Sequence, residues 1–245
     1  MIGNEYTEKA KRRSGSRGCL TVIVILALIA AATYLCMFVW DVPAEIFRFF
    51  SGGTAPTTQA ISGDPARFDP IAGYANAAAF AGEGARLLEI NMYFVRSDGT
   101  MDLNAGYTPA PRVVYTFAVE VPRPDDAPPP GAGGANAGPW FQQIEVEAYR
   151  PGASRTTTTI SGGVSTSFTY TNRGMTRRPG SVRSGQREFL TPPACDLTAF
   201  WRDALAQDAP PDGVATIDYE PEGYRFRITG WSVSLDYDAG CQRER

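Results

Sequence analysis

The sequence predicts an α+β fold: one N-terminal transmembrane helix, then an antiparallel β-sheet domain with two helices on one side. Three observations predict it. Residues 20–40, LTVIVILALIAAATYLCMFVW, run for about 21 positions without a charge, long enough to cross a bilayer once. Two later segments place apolar residues at helical spacing directly after an aspartate N-cap. Most other segments alternate apolar with polar residues, or are rich in β-branched and aromatic residues, and turn residues separate them. Strands that neighbour in sequence pair antiparallel, and helices then gather on one layer.

The tail of residues 1–19 carries Lys9, Lys11, Arg12, Arg13 and Arg17 against Glu5 and Glu8. Asp41, Glu45 and Arg48 follow the apolar segment. The positive-inside rule places the N-terminus in the cytoplasm and the rest outside, at the plasma (inner) membrane. Tyr34, Phe38 and Trp40 suit the outer interface. The apolar run is longer than a cleaved signal requires, and Val42-Pro43-Ala44 is a poor cleavage site, so the expectation is an uncleaved single-pass signal anchor. The bilayer is the first expected partner, through residues 20–40. Residues 41–67 read as a juxtamembrane segment with Ile46, Phe47, Phe49 and Phe50, then a Gly/Thr/Ala/Pro-rich flexible tether from Ser51.

Residues 68–245 form the expected extracytoplasmic domain. Asp69-Pro70 opens a helix whose apolar face holds Ile71, Tyr74, Ala78 and Ala81, and Gly82 or Gly84 closes it. A strand is expected from Arg86 to Val95, a hairpin turn at Ser97-Asp98-Gly99, a second strand from Met101 to Tyr107 and a third from Val113 to Val121. The second half has a similar order. Asp196 caps a helix with Leu197, Phe200, Trp201, Ala204 and Leu205. Strands follow at Val214–Tyr219, around Tyr224, Phe226 and Ile228, and around Trp231, Val233, Leu235 and Tyr237. Residues 68–121 and 195–241 are therefore candidate half-repeats of helix plus β-meander. Between them, Phe141–Tyr149 and Val164–Thr171 read as strands. Pro122–Pro139 and Asn172–Ala194 read as long unstructured loops.

Composition excludes much chemistry. The chain has no histidine, which removes Ser-His-Asp and Cys-His catalysis and every histidine metal site. Its lysines, Lys9 and Lys11, are both in the tail. Cys195 and Cys241 in an oxidising compartment predict a disulfide, which leaves no thiolate pair for a metal. Cys19 and Cys36 belong to the apolar segment and read as inert packing. No catalytic residue, metal site or cofactor is expected.

The best binding candidate is the arginine-rich loop, with Arg173, Arg177, Arg178, Arg183 and Arg187 against Glu188. Guanidinium groups grip phosphate and carboxylate on lipid headgroups, a wall polymer or an acidic protein face. The plainer reading is a solvated loop offsetting an external part of about −6 formal charge. That charge sign argues against nucleic acid. Asp125/Asp126 and Glu145/Glu147 are the acidic pairs. Asp125 and Asp126 lie in a floppy segment, and Glu145 and Glu147 point from one strand toward water, so neither pair is expected to catalyse. Asp236-Tyr237-Asp238-Ala239-Gly240 lacks the later ligands of a calcium loop. The Thr/Ser run from Thr156 to Ser167 reads as an exposed polar strand.

Three stretches, AFAGEGARLLEINMYFVRSDGTMDL, TNRGMTR and FWRDALAQDAPPDGVATIDYEPEGYRFRITG, are similar to uncharacterised single-pass membrane-anchored proteins of filamentous green non-sulfur (Chloroflexus-like) bacteria. The resemblance implies an anchored domain of the same kind and supplies no activity or site residue. A fold-level likeness to the helix-plus-meander repeats of small periplasmic inhibitor-like domains licenses no function. The sequence thus points to a non-enzymatic extracytoplasmic binding or accessory domain whose partner is an envelope protein or anionic polymer. The alternatives are a carboxylate-dependent hydrolase of wall or surface polymer, and a ligand-binding sensor.

Overall fold

A computed structural model describes residues 56–125, 138–161 and 164–244. Every described residue belongs to one compact unit, Gly53–Arg245. The expected membrane helix at 20–40 and Cys19 and Cys36 lie outside the described residues, as does most of the expected loop at 122–139. Among the described residues no helix is long and apolar enough to cross a membrane.

In chain order the elements are β1 (Thr57–Ala60), a 3-10 turn (Pro65–Arg67), α1 (Pro70–Ala81), β2 (Arg86–Val95), β3 (Arg112–Val121), β4 (Trp140–Tyr149), β5 (Ser154–Ser161), β6 (Val164–Thr171), β7 (Gly174–Ser184), α2 (Leu197–Leu205), β8 (Ala215–Glu220), β9 (Gly223–Ile228) and β10 (Ser234–Tyr237). Eight strands form one antiparallel sheet in the order β1-β7-β4-β3-β2-β8-β9-β10, and β5 and β6 pair as a separate ribbon.

The fold class therefore differs from the α+β expectation: the domain is mostly β. The helices are 12 and 9 residues long, and segments expected to be loops are strands. The tether contributes β1, which pairs Thr57–Ala60 with Arg177–Gly174. The arginine loop contributes β7, which pairs with most of β4 from Trp140 to Ala148. Charge hid this strand. Its Arg177 and Arg178 find partners on neighbouring elements, while Met175 and Thr176 are buried.

The half-repeat reading also fails. No strand forms at 101–107, where Met101 makes only an isolated bridge to Phe68. Arg96 holds Asp102 at 2.9 Å, and the Asp102 carboxylate accepts from the Asn104 amide. That local turn bends the chain away before a ladder can build.

One sheet face carries the core. In register across it stand Ala148, Val113, Met92, Ile217 and Phe226, and beside them Val146, Tyr115, Ile90, Tyr219 and Tyr224. All are buried, and burying each large apolar side chain stabilises by about 1.5–3 kcal/mol. Helix α1 packs on β2, β3, β4 and β7. Its Asp69 cap accepts from the Ile71 and Ala72 amides. The buried stripe is Pro70, Gly73, Ala77 and Ala81, with Ile71, Tyr74 and Ala78 only flanking it. Small residues win because the helix lies so close: a Cβ on Gly73 would stand 2.5 Å from the Phe68 ring. Helix α2 covers the β9 and β10 end, with Trp201 edge-on to Phe226 and Phe200 stacked on Tyr237. Leu205, expected on its buried face, is 41% exposed. Cys195 and Cys241 form the expected disulfide, with 5.6 Å between Cα atoms.

Candidate functional site

The opposite sheet face is polar, and strand register sets its pattern. One row across it reads Asp236, Arg225, Asp218, Asn91, Val114, Glu147 and Thr176. The next reads Ser234, Arg227, Thr216, Tyr93, Arg112 and Tyr149. Opposite charges fall side by side. Arg225 lies 3.5 Å from Asp236, and Arg227 pairs with Asp218. At the β2–β4–β7 end Phe189 covers this face, edge-on to Phe141 with the Arg86 guanidinium 3.4 Å above its ring.

The charged centre is Glu147 on β4. Its side chain is 2% exposed, so the expectation that Glu145 and Glu147 both turn to water holds only for Glu145, at 41%. Burial of a carboxylate demands cationic partners, and Glu147 has three. Arg155 of β5 donates from Nη1 at 2.5 Å, Arg178 of β7 donates from Nη2 at 2.7 Å, and Arg112 Nε of β3 lies at 3.9 Å. Both hydrogen bonds fall on Oε2, while Oε1 faces Arg112. Arg112 also lies over the Tyr93 ring at 4.7 Å, and Arg155 over the Tyr149 ring at 4.5 Å. Cation–π contact of this kind holds a guanidinium plane in place.

Asn172 brings Arg155 to this centre. It is fully buried at the root of the β5–β6 ribbon. Its Nδ2 donates to the Tyr149 and Arg150 carbonyls, and its Oδ1 accepts from the Gly174 amide and the Thr176 hydroxyl. One side chain thus joins the strand that leaves the sheet to the strand that re-enters it. Beyond the root, Thr156 faces Thr169 and Thr158 faces Ser167 at hydroxyl–hydroxyl distances of 3.0 and 2.9 Å, so the Thr/Ser run is a two-stranded ribbon with an exposed hydroxyl face.

The five arginines expected as a binding group do not converge. Arg177 turns to the helix side, where its Nε donates to the Ala81 carbonyl at 3.1 Å and satisfies an orphan acceptor at the end of α1. Arg178 turns to the polar face and Glu147. Arg173, Arg183 and Arg187 are exposed, and Arg183 donates to the Ser181 hydroxyl. Arg112 and Arg155 were missed as functional candidates. The signal for Arg112 lay in the sequence, as a cation between Pro111 and a β-branched run, but only strand register sets it opposite Tyr93 and near Glu147.

Other acidic groups lie apart. A shallow cleft of about 220 Å³ at the β8–β9 turn and the β10 end is lined by Glu220, Glu222, Asp236 and Glu244 together with Arg225. Among the described residues no group of His, Cys, Asp and Glu side chains is arranged to hold a metal ion. Comparison of the chain with family models, with curated proteins and with solved structures found no match to any of them.

Proposed function

We propose that this chain is a non-enzymatic binding or accessory domain, anchored at the inner membrane by residues 20–40, that holds another envelope component on its outer side. The observation that carries the reading is the construction of the polar face. Its most deeply buried carboxylate among the described residues, Glu147, is engaged by three guanidiniums, while the arginines around it stay a quarter to a third exposed. Charged, ordered side chains on a rigid sheet suit recognition better than acid–base turnover. The absence of histidine and the confinement of lysine to residues 9 and 11 support the same reading.

The test is cross-linking in intact cells, then purification in mild detergent and mass spectrometry. A reproducible, near-stoichiometric partner is expected. Charge reversal at Arg173, Arg183 and Arg187 together with Arg112→Gln separates the exposed arginines from the polar face as the contact. Recovery of the protein alone from every cross-linker would sink the accessory role. Arg177 and Arg178 are unsuitable for this test, because both are tied into the fold.

The hydrolase reading finds acidic side chains together at the carboxylate-lined cleft of Glu220, Glu222, Asp236 and Glu244. Glycoside cleavage needs two such groups converging across a bound sugar. Failure of the purified chain to release reducing ends from wall or capsular polysaccharide would remove it.

A further inference from the structure

We infer that the arginine centre on the polar face is a phosphate site, formed by Arg112, Arg155 and Arg178 around Glu147. The inference deepens the binding reading by naming the chemical group recognised. Three observations carry it.

The first is donor excess. Each guanidinium has five N–H donors. Between these arginines and Glu147 there are two hydrogen bonds, both on Oε2. The Arg112 guanidinium reaches Oε1 of Glu147 only at 3.9 Å, beyond hydrogen-bond distance. The Nε of Arg178 is shielded from solvent and has no hydrogen-bond partner. Tyr170, the cross-strand neighbour of Arg155, likewise keeps its hydroxyl shielded and without a partner.

The second is charge. Three cations stand against Glu147 and the more distant Glu145, whose Oε2 is 4.0 Å from Arg178 Nε. The centre is left net positive within a domain that is acidic overall. The third is preorganisation. Tyr93 and Tyr149 hold two of the guanidiniums from below, so a ligand need not order them.

The ligand class follows from shape. A carboxylate offers two oxygens in one plane, which is what Glu147 already supplies. A tetrahedral phosphate offers oxygens in three directions and accepts from several guanidinium forks together. Glu147 then serves to hold the arginines in place and to temper their charge, so that the site releases its ligand.

The test uses the full chain in neutral-detergent micelles at low salt, titrated calorimetrically with inorganic phosphate and, separately, with polyphosphate. Binding is expected, weakening steeply as salt rises. Arg112→Gln should weaken it at least tenfold. Glu147→Gln, which removes the competing negative charge but keeps an acceptor, should tighten it several-fold. The two variants move affinity in opposite directions, a pattern that mere unfolding does not give. Circular dichroism verifies the fold of each, and Arg112→Lys replaces Arg112→Gln if the latter unfolds, with the same direction expected from loss of the fork. Tighter binding per phosphate group to polyphosphate assigns a phosphate-bearing polymer as the natural source; equal binding assigns free phosphate. No heat with either probe, or an affinity that Arg112→Gln leaves unchanged or Glu147→Gln weakens, overturns the site. Partner recovery by cross-linking is read independently, so failure here leaves the accessory-domain reading to stand or fall on its own result.

Discussion

Arg178 and Glu147 meet across β7 and β4 at 2.7 Å, diagonal to the register pair Arg178 and Glu145. This contact joins a segment that reads as loop to a carboxylate that reads as solvent-facing. It orders the polar face at the charged centre.

Glu147→Ala leaves three guanidiniums without their shared partner. Removing one member of a fully buried ion pair costs about 3–5 kcal/mol. Here the arginines are 27–32% exposed, and water recovers part of that cost, so a loss of about 2–3 kcal/mol is expected. Glu147→Gln should cost less. Urea unfolding of the two variants checks the order, and equal loss would show that charge is not what Glu147 contributes.

Asn172→Ala strips a partner from the Tyr149 carbonyl and from the Gly174 amide at once, while the exposed Arg150 carbonyl keeps the Ala153 amide. Each backbone group left buried and unsatisfied costs about 1–3 kcal/mol. The expected result is a loss of several kcal/mol and a ribbon root that opens to protease near Ala153. Asn172→Asp keeps the acceptor and loses the donors, so it should be intermediate in proteolysis and in chemical unfolding.

The disulfide ties the start of α2 to the segment after β10 over a sequence separation of 46. On the loop-entropy model that contributes roughly 4 kcal/mol. Cys241→Ser, or reduction of the native chain, is expected to lower the melting temperature by roughly 10 °C. Calorimetry with and without reductant tests this, and the variant should show no further response to reductant.

Alkaline pH should weaken the core under α2. Burial, and then the neighbouring Tyr219, push the Tyr224 phenol up to about 12 from an ordinary 10.0. Tyr237 is pushed higher still by burial and by its hydrogen bond to Asp203. A raised folded pKa means that the folded state holds its proton longer than the unfolded chain. The contribution is therefore fully present below pH 10 and is lost as pH rises through about 12. Unfolding free energy measured between pH 9 and 12 should fall, and Tyr224→Phe should flatten part of the fall.

How much of this was legible beforehand varies element by element. The helix at Pro70 was legible because Asp69 and Pro70 act locally, through the Ile71 and Ala72 amides. The strand at Arg86–Val95 was legible for a similar reason, since side-chain type and alternation are properties of the segment itself. The disulfide could be inferred because only two cysteines stand beyond the apolar segment. The strand at Gly174–Ser184 was not legible. Six of its eleven residues are Gly, Pro or Arg, and what makes them a strand is β4 on one side and β1 on part of the other.

The sequence by itself determined the chemistry that is missing, the helix caps, the turns and the pairing of Cys195 with Cys241, because each rests on residue type or on contacts a few positions apart. The tertiary structure alone decided that both halves share one sheet, that Arg177 and Arg178 point to opposite faces, and that Glu147 sits among Arg112, Arg155 and Arg178. Those outcomes depend on strand order and register between segments far apart in the chain. A one-residue slip of register would move every side chain of a strand to the other face, and no local pattern records which register the folded sheet adopts.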